Sequence, residues 1–148
     1  MKIIVAIGCD HAGYELKASV LSWLQSKGVE TIDFGTSSLL SVDYPDFAHE
    51  VGHAIQTGRA EIGIVICGSG NGVNMTVNKY SKVRSALCWN KEIASLARQH
   101  NNANVLALPA RYITVDEVIE MLEVFFTTAF EGGRHHNRVN KIFTGIKK

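Results

Sequence analysis

The apolar positions of the chain follow two repeats that alternate along its length. Short runs rich in Val and Ile are typical of buried strands, whereas longer stretches with an apolar residue every three or four positions are typical of amphipathic helices. Strands that alternate with helices pair in parallel through right-handed crossovers, so the pattern predicts an α/β fold, a three-layer α/β/α sandwich. The predicted strands span residues 2–7, 29–34, 61–66, 84–88 and 104–108.

Capping signals place the helices between these strands. The first helix follows Gly13 and ends at Gly28, a residue type that commonly caps a helix C-terminus. Pro45 opens the second at its first turn, where a missing N–H costs nothing. Thr114 and Glu117 have the spacing of a capping box. Further helices are predicted after Gly72 and over 90–100, 114–129 and 134–146.

Composition narrows the class of protein. A chain of 148 residues is long enough to bury one core, and we expect one domain over 1–148. The formal net charge of +1 shows no basic excess, so neither nucleic acid nor a membrane surface is an expected partner. No apolar stretch approaches the roughly 20 residues that span a bilayer. Three cysteines are an odd number, which indicates reduced thiols and a cytoplasmic protein.

Ligands of open α/β sheets bind beyond the carboxyl ends of the strands. On the predicted strands, this rule nominates four segments, residues 8–13, 35–45, 67–72 and 100–104.

The loop from Cys67 to Gly72 joins the third strand to a helix and carries three glycines. Such loops let backbone N–H groups converge on an anion at a helix N-terminus. The loop lacks the Gly-Lys-Ser/Thr of a Walker sequence, and Val73 replaces the third glycine of a dinucleotide fingerprint. An anion cradle and a tight turn without ligand both remain open. Cys67 is either a nucleophile or general base, or a buried structural thiol.

The segment 49–53 reads His-Glu-Val-Gly-His and matches the zinc-protease pattern. Phe47, Val51 and Ile55 form the apolar stripe of the same helix, so His49 and His53 fall on its opposite face. A zinc site needs both histidines turned inward towards a third ligand. We therefore predict no metal site here.

Six motifs occur in one order along nearly the whole chain: Gly8-Cys9-Asp10-His11-Ala12-Gly13, Val42-Asp43-Tyr44-Pro45, Cys67–Gly72, Asn78-Lys79, Arg98-Gln99-His100-Asn101 and Glu131-Gly132-Gly133-Arg134-His135. Together they resemble the type B ribose-5-phosphate isomerases, whose wider family includes allose-6-phosphate and galactose-6-phosphate isomerases. The resemblance implies a Rossmann-like five-stranded parallel sheet and an enzyme of the pentose phosphate pathway without metal or organic cofactor. It also implies a homodimer with active sites near the subunit interface, and leaves open whether dimers pair into a tetramer.

The resemblance also implies roles for individual residues. Cys67 matches the general base that moves a proton between carbons 1 and 2 of the open-chain sugar, and Ser69 matches a hydroxyl position beside it. Some members use a glutamate base just past the glycines, where this chain has Val73. The backbone N–H groups of the loop match an anion hole for the enediolate, formed by Gly68, Gly70, Asn71 and Gly72.

The remaining matches concern the cyclic sugar and its phosphate. His100 matches the residue that helps to open the furanose ring, with Asn101 beside it. Asp10 and Tyr44 match positions that contact the sugar. The phosphate-binding positions are His11, Arg111, Arg134 and Arg138.

The leading hypothesis is therefore an aldose–ketose isomerase acting on ribose 5-phosphate. A hexose-6-phosphate isomerase of the same family is the alternative, because the sequence does not give the size of the pocket. A non-catalytic phosphate-binding module is the alternative of a different class, since such a module needs the glycine loop but neither Cys67 nor His100.

Overall fold

A computed structural model describes residues 2–148 of the chain. Within these residues one sheet has all its neighbouring strands parallel, in the order β2-β1-β3-β5-β4. The strands are β1 (Ile4–Cys9), β2 (Glu30–Asp33), β3 (Ile62–Cys67), β4 (Ser85–Leu87) and β5 (Val105–Pro109). The α-helices are α1 (Tyr14–Ser26), α2 (Tyr44–Gln56), α3 (Asn71–Val77), α4 (Lys91–Asn101), α5 (Val115–Thr127) and α6 (Arg134–Thr144).

Successive residues of the central strands point to opposite faces of the sheet. In β1, Val5 and Ile7 join a core with α1, α4 and α5, while Ala6 joins a second core with α2 and α3. In β3, Ile64 packs in the first core and Cys67 in the second. Both faces are covered by helices, which explains why the strand sequences are continuously apolar. The predicted three-layer sandwich with five parallel strands is confirmed.

The helix signals read from the sequence have their expected geometry. Gly28 follows α1 with a φ of +68°. Thr114 accepts a hydrogen bond from the Glu117 N–H, and the Glu117 carboxylate accepts one from the Thr114 N–H. Three strands extend further at their carboxyl ends than predicted, since β1 continues to Cys9, β3 to Cys67 and β5 to Pro109. Cys9 is in register with Ile66. The turn after β1 therefore begins at Asp10.

The parallel arrangement gathers the ends of three neighbouring strands at one edge. The Asp10 N–H donates to the Ile66 carbonyl at 3.3 Å, and the Arg111 N–H donates to the Gly68 carbonyl at 3.0 Å. The loops after β1, β3 and β5 are thus tied together at the carboxyl edge of the sheet.

One of the four nominated segments was placed wrongly. Residues 100–104 end α4 and lead into β5, and the Asn104 carbonyl accepts from the N–H of Gly63 at the start of β3. These residues therefore lie at the amino edge of the sheet. The ligand rule applies to loops that follow strands, whereas this loop precedes one.

Among residues 2–148, no helix is both long and apolar enough to cross a lipid bilayer.

Candidate active site

A cavity of about 470 Å³ opens at the carboxyl edge of the sheet. That volume lies within the range of small-molecule sites, which is about 300–1,000 Å³. Most of the residues nominated from the sequence meet there, although they come from four separate segments. Its lining is Asp10, His11, Ala12, Tyr44, Cys67, Gly68, Ser69, Asn71, Gly72, Met75, Arg111 and Tyr112.

Asp10 and His11 are held in fixed orientations at the start of this cavity. The Oδ1 atom of Asp10 accepts from the N–H groups of Ala12 at 3.0 Å and Gly13 at 3.2 Å, and the residue is buried. The Nδ1 atom of His11 accepts from the Val42 N–H at 3.2 Å. A neutral histidine that accepts at Nδ1 carries its proton on Nε2, so His11 offers an N–H donor as well as a support for the loop before α2.

The glycine loop has a backbone conformation that suits an anion. Gly70 has a φ of +75°, and a Cβ atom there would lie 2.5 Å from the Leu87 Cδ1 atom. Helix α3 begins at the next residue, and the Ser69 Oγ atom accepts from the Asn71 N–H at 3.3 Å. Backbone N–H groups in the first turn of a helix have no partner within the helix, so those at the start of α3 are donors for a developing negative charge.

The three cysteines lie in different surroundings. Cys9 and Cys88 are fully buried, and burial raises the pKa of Cys9 to about 11 and that of Cys88 to about 12. Cys67 is the last residue of β3 and lines the cavity beside the glycine loop. Of the three thiols, that of Cys67 is the one placed to meet a substrate.

The Arg111 guanidinium lies against Gly68. This placement follows from the backbone, because the Ala110 N–H donates to the Cys67 carbonyl at 2.9 Å and the next N–H donates to Gly68. A positive charge therefore stands beside the glycine loop, where it can bind a phosphate or an oxyanion.

A second group of nominated residues lies away from this cavity. His100 and Asn101 end α4, and Arg134 and Arg138 are exposed on α6, four residues apart. Because α4 precedes β5, this group stands at the amino edge of the sheet, whereas Cys67 stands at the carboxyl edge. Strands rise about 3.3 Å per residue, so a strand of five residues separates the two edges by roughly 15 Å.

The His100 ring has two neighbours that sequence reasoning assigned no role. It stacks on the His135 ring with centroids 4.3 Å apart and planes 9° apart, and Glu131 lies beside both rings. The pKa of His135 is lowered, first because burial disfavours its charged form and then by the charges of His100 and Arg134.

The zinc-protease pattern does not form a metal site in α2. His49 and His53 are exposed, while Val51 and Ile55 are buried on the other face, as predicted. The His49 Nδ1 atom is 2.8 Å from the Tyr80 hydroxyl. Elsewhere in residues 2–148, one cluster brings metal-ligating atoms within 4.8 Å of one another, namely His100, Glu131 and His135.

Sequence reasoning missed Met75 and Tyr112, which line the cavity, and gave no role to Ala12, which lies in the nominated segment 8–13. Met75 lies four positions after Asn71 in α3, which places both on one helix face. Tyr112 adjoins Arg111, and Ala12 lies within the turn after β1. The helical spacing was a usable signal for Met75, whereas an exposed tyrosine after an arginine carries none.

Known proteins are similar to this chain in both fold and sequence. Residues 5–142 match the family described as Ribose/Galactose Isomerase. Ribose-5-phosphate isomerase B of Escherichia coli is 39% identical over 138 residues, which cover 93% of each protein. The crystal structure of a ribose 5-phosphate isomerase from Thermotoga maritima has a TM-score of 0.93 at 44% identity, covering 96% of this chain and 98% of that one. Ribose-5-phosphate isomerase B from Mycoplasma genitalium, solved with bound ribulose-5-phosphate, has a TM-score of 0.94 at 39% identity, covering 98% and 97%.

Proposed function

The chain belongs to the ribose/galactose isomerase family, and we propose that it interconverts ribose 5-phosphate and ribulose 5-phosphate. The observation that carries this proposal is the meeting of Cys67, the glycine loop and Arg111 in one cavity. An isomerase of this type needs a base, a site for the developing oxyanion and an anchor for the phosphate. The two relatives named ribose-5-phosphate isomerase B match 93% and 98% of the chain.

In the proposed reaction the Cys67 thiolate removes the proton from C2 of the open-chain aldose. The electron pair moves into a C1–C2 double bond, and the carbonyl oxygen O1 takes the negative charge. The thiol returns the proton to C1, while the O2 hydroxyl proton passes to O1 and C2 becomes the ketone. The Ser69 hydroxyl, within the glycine loop, is our candidate for that oxygen-to-oxygen transfer.

Two features of the site support Cys67 as the base. Val73, at the position where some members of the family carry a glutamate, is fully buried and apolar. The N–H groups from Gly68 to Gly72 are the proposed oxyanion donors, and such donors are each worth about 10²–10³-fold in rate.

Asp10 and Tyr44 line the same cavity, and we assign them contacts with the sugar hydroxyls.

The phosphate and the ring-opening step need the second group of residues. We propose that His100 and Asn101 act on the furanose ring and that Arg134 and Arg138 join His11 and Arg111 at the phosphate. Since the two groups lie at opposite edges of one sheet, we propose a homodimer in which a second copy supplies the second group. Whether dimers pair further stays open, and the free thiols favour the cytoplasm as the compartment.

The test compares two cysteine variants. Cys67→Ala should lower kcat for ribose 5-phosphate by about 10²–10⁴-fold, the usual share of a positioned general base, while binding measured by calorimetry persists. Cys88→Ala is the matched control, because it removes a thiol that is buried in the other core and does not line the cavity, so it should keep wild-type kcat. A Cys67→Ala enzyme with wild-type turnover would refute the mechanism.

A second measurement addresses the substrate. We expect kcat/KM of the wild type to be higher for ribose 5-phosphate than for allose 6-phosphate or galactose 6-phosphate. The opposite order would make the protein a hexose-phosphate isomerase of the same family. Binding without turnover of any of the three would favour the non-catalytic phosphate-binding module.

A further inference from the structure

His135 is the one buried residue of α6, in which Val139 is half-buried and the other residues are exposed. It is 7% exposed, whereas its neighbours Arg134 and His136 are exposed. Its ring covers the face of the His100 imidazole, in a nearly parallel stack. The proposed reaction uses His100 but gives no role to His135.

Glu131 connects the two histidines. Its Oε2 atom is 3.6 Å from the His135 Nε2 atom and 4.0 Å from the His100 Nε2 atom. Both distances are in the range of an ion pair and longer than a direct hydrogen bond, so the carboxylate acts on both rings mainly through its charge. The same nitrogen of each ring thus faces one carboxylate.

The segment that carries Glu131 is fastened to the end of α4. The Glu131 N–H donates to the Gln99 carbonyl at 3.0 Å, and the Arg98 Nε donates to the Thr128 carbonyl at 3.3 Å. Arg98 also packs over the Phe125 ring, 5.6 Å from its centroid. The backbone on either side of His100 and Glu131 is therefore held, and their separation is not left to a free loop.

We propose that Glu131 and His135 are positioning residues that fix the His100 ring and its tautomer for opening of the furanose ring. This inference rests on the proposed function. A carboxylate facing Nε2 favours a proton on that nitrogen. The Nδ1 atom of His100 is then the lone-pair nitrogen that takes the proton of the C1 hydroxyl; the C1–O4 bond breaks as the C1 carbonyl forms, and the proton passes from Nδ1 to O4. The stacked His135 ring sets the plane in which that lone pair lies.

The geometry favours this role over a metal site formed by the same three residues. Nearly parallel, stacked rings have nearly parallel lone pairs at their facing nitrogens, whereas a tetrahedral metal needs lone pairs that converge on one point. Each ring would have to leave the stack to bind an ion. The stacked arrangement instead suits two N–H donors that share one carboxylate.

The first test reads the tautomer and does not depend on activity. In protein with ¹⁵N-labelled histidine at alkaline pH, we expect the His100 signals, assigned by their loss in His100→Gln, to show the proton on Nε2. Glu131→Gln should redistribute the proton between the two nitrogens. Unchanged His100 signals in Glu131→Gln would overturn the proposal, as would signals of wild type that change on treatment with a chelator.

The second test separates ring opening from proton transfer at carbon. Glu131→Gln and His135→Ala should lower turnover of ribose 5-phosphate by about 10–100-fold, the usual effect of losing a partner that orients a functional histidine. Deuterium uptake from solvent at C1 of ribulose 5-phosphate, which is acyclic, should stay within about twofold of wild type. Equal loss in both reactions would indicate a merely structural role and overturn the proposal.

The controls distinguish this inference from the proposed function. His136→Ala removes the next histidine in α6, an exposed one that faces Phe130 with centroids 6.2 Å apart, and should leave both reactions unchanged. His135→Phe keeps a stacked ring without Nε2, and should recover part of the turnover lost in His135→Ala. Wild-type protein inactive on ribose 5-phosphate would refute the proposed function, while the tautomer measurement would still decide the arrangement of Glu131 and His100.

Discussion

Access from the cavity separates the three cysteines of the chain by reactivity: Cys67 is 5% exposed and lines the cavity, whereas Cys9 and Cys88 are 0% exposed. The thiolate is the nucleophilic form of cysteine, and burial raises the pKa of Cys9 to about 11 and of Cys88 to about 12. Both side chains are therefore protonated at neutral pH as well as inaccessible. We predict that iodoacetamide modifies Cys67 first and that ribose 5-phosphate slows this reaction. Mass spectrometry of digested samples over time measures the three rates, and equal rates at Cys9 and Cys67 would contradict the assignment.

Gly70 is the position where the glycine loop most requires the absence of a side chain. Alanine there would combine a φ of +75° with a contact of 2.5 Å to Leu87. We expect Gly70→Ala to lower the free energy of unfolding by about 1–3 kcal/mol and to lower kcat, because the oxyanion donors shift. Urea unfolding and steady-state kinetics measure the two effects.

Gly28 provides a matched control for Gly70. Its φ is +68°, but a Cβ atom there would meet nothing within 4 Å, and it lies at the end of α1. Gly28→Ala should therefore show the backbone penalty alone, with wild-type kcat. Equal loss of kcat in both variants would show that the geometry of the glycine loop is not the cause of the lower kcat in Gly70→Ala.

Single residues of the site could be predicted where a turn directly follows a strand. Asp10 and Cys67 lie in the segments 8–13 and 67–72 that the ligand rule for α/β sheets nominated, whereas Arg111 was assigned only from the family resemblance; all three line the cavity. Tyr112 could not be predicted, because its place depends on how the loops after β3 and β5 cross. The roles of Glu131 and His135 could not be predicted beyond their place in a motif. Their approach to His100 brings together parts of the chain that are distant in sequence.

At the scale of elements, a histidine with a lowered pKa lies in the contact between α6 and α4. The pKa of His135 is lowered by burial and by the charges of His100, Arg134 and Arg138, while Glu131 opposes them. Below the ordinary histidine pKa of about 6.5, the unfolded chain binds a proton that folded His135 does not, so stability falls as the pH drops towards the lowered pKa.

This difference in proton binding predicts that the melting temperature depends less on pH when the titrating ring is removed. The melting temperature of His135→Phe should fall less than that of wild type between about pH 7.5 and pH 5.5. His136→Phe should keep the wild-type dependence, because that side chain is exposed. If calorimetry gives the same change of melting temperature with pH for wild type and His135→Phe, then the His135 ring titrates alike in the folded and unfolded states, and the prediction is wrong.

The order of elements was predictable because each strand is a short apolar run and each helix has its own start or stop signal. The ends of the strands were less predictable. Strands β1 and β3 continue past their predicted apolar runs, because pairing with a neighbour extends a strand. The segment 100–104 was misplaced for a different reason. A list of polar stretches does not say whether each one follows a strand or precedes it, and only the former reach the carboxyl edge.

At the scale of the whole molecule, the candidate site is divided between the two edges of one sheet. Cys67 ends β3, whereas His100 ends α4, at the amino edge where β5 begins. A closed dimer with twofold symmetry brings the same two surfaces of each copy together twice. Such a dimer can place the Cys67 cavity of each copy against the His100 cluster of the other, which one chain cannot do alone.

This division predicts complementation between two inactive variants. Cys67→Ala and His100→Ala should each lose most turnover of ribose 5-phosphate as separate proteins. When the two are unfolded together, mixed and refolded, half of the dimers should be mixed, and each mixed dimer has one site with both residues intact, so about a quarter of wild-type activity should return. Refolding each variant alone is the control. Mixtures no more active than the separate variants would mean that Cys67 and His100 of the same chain act together, and the proposed exchange between copies would fail.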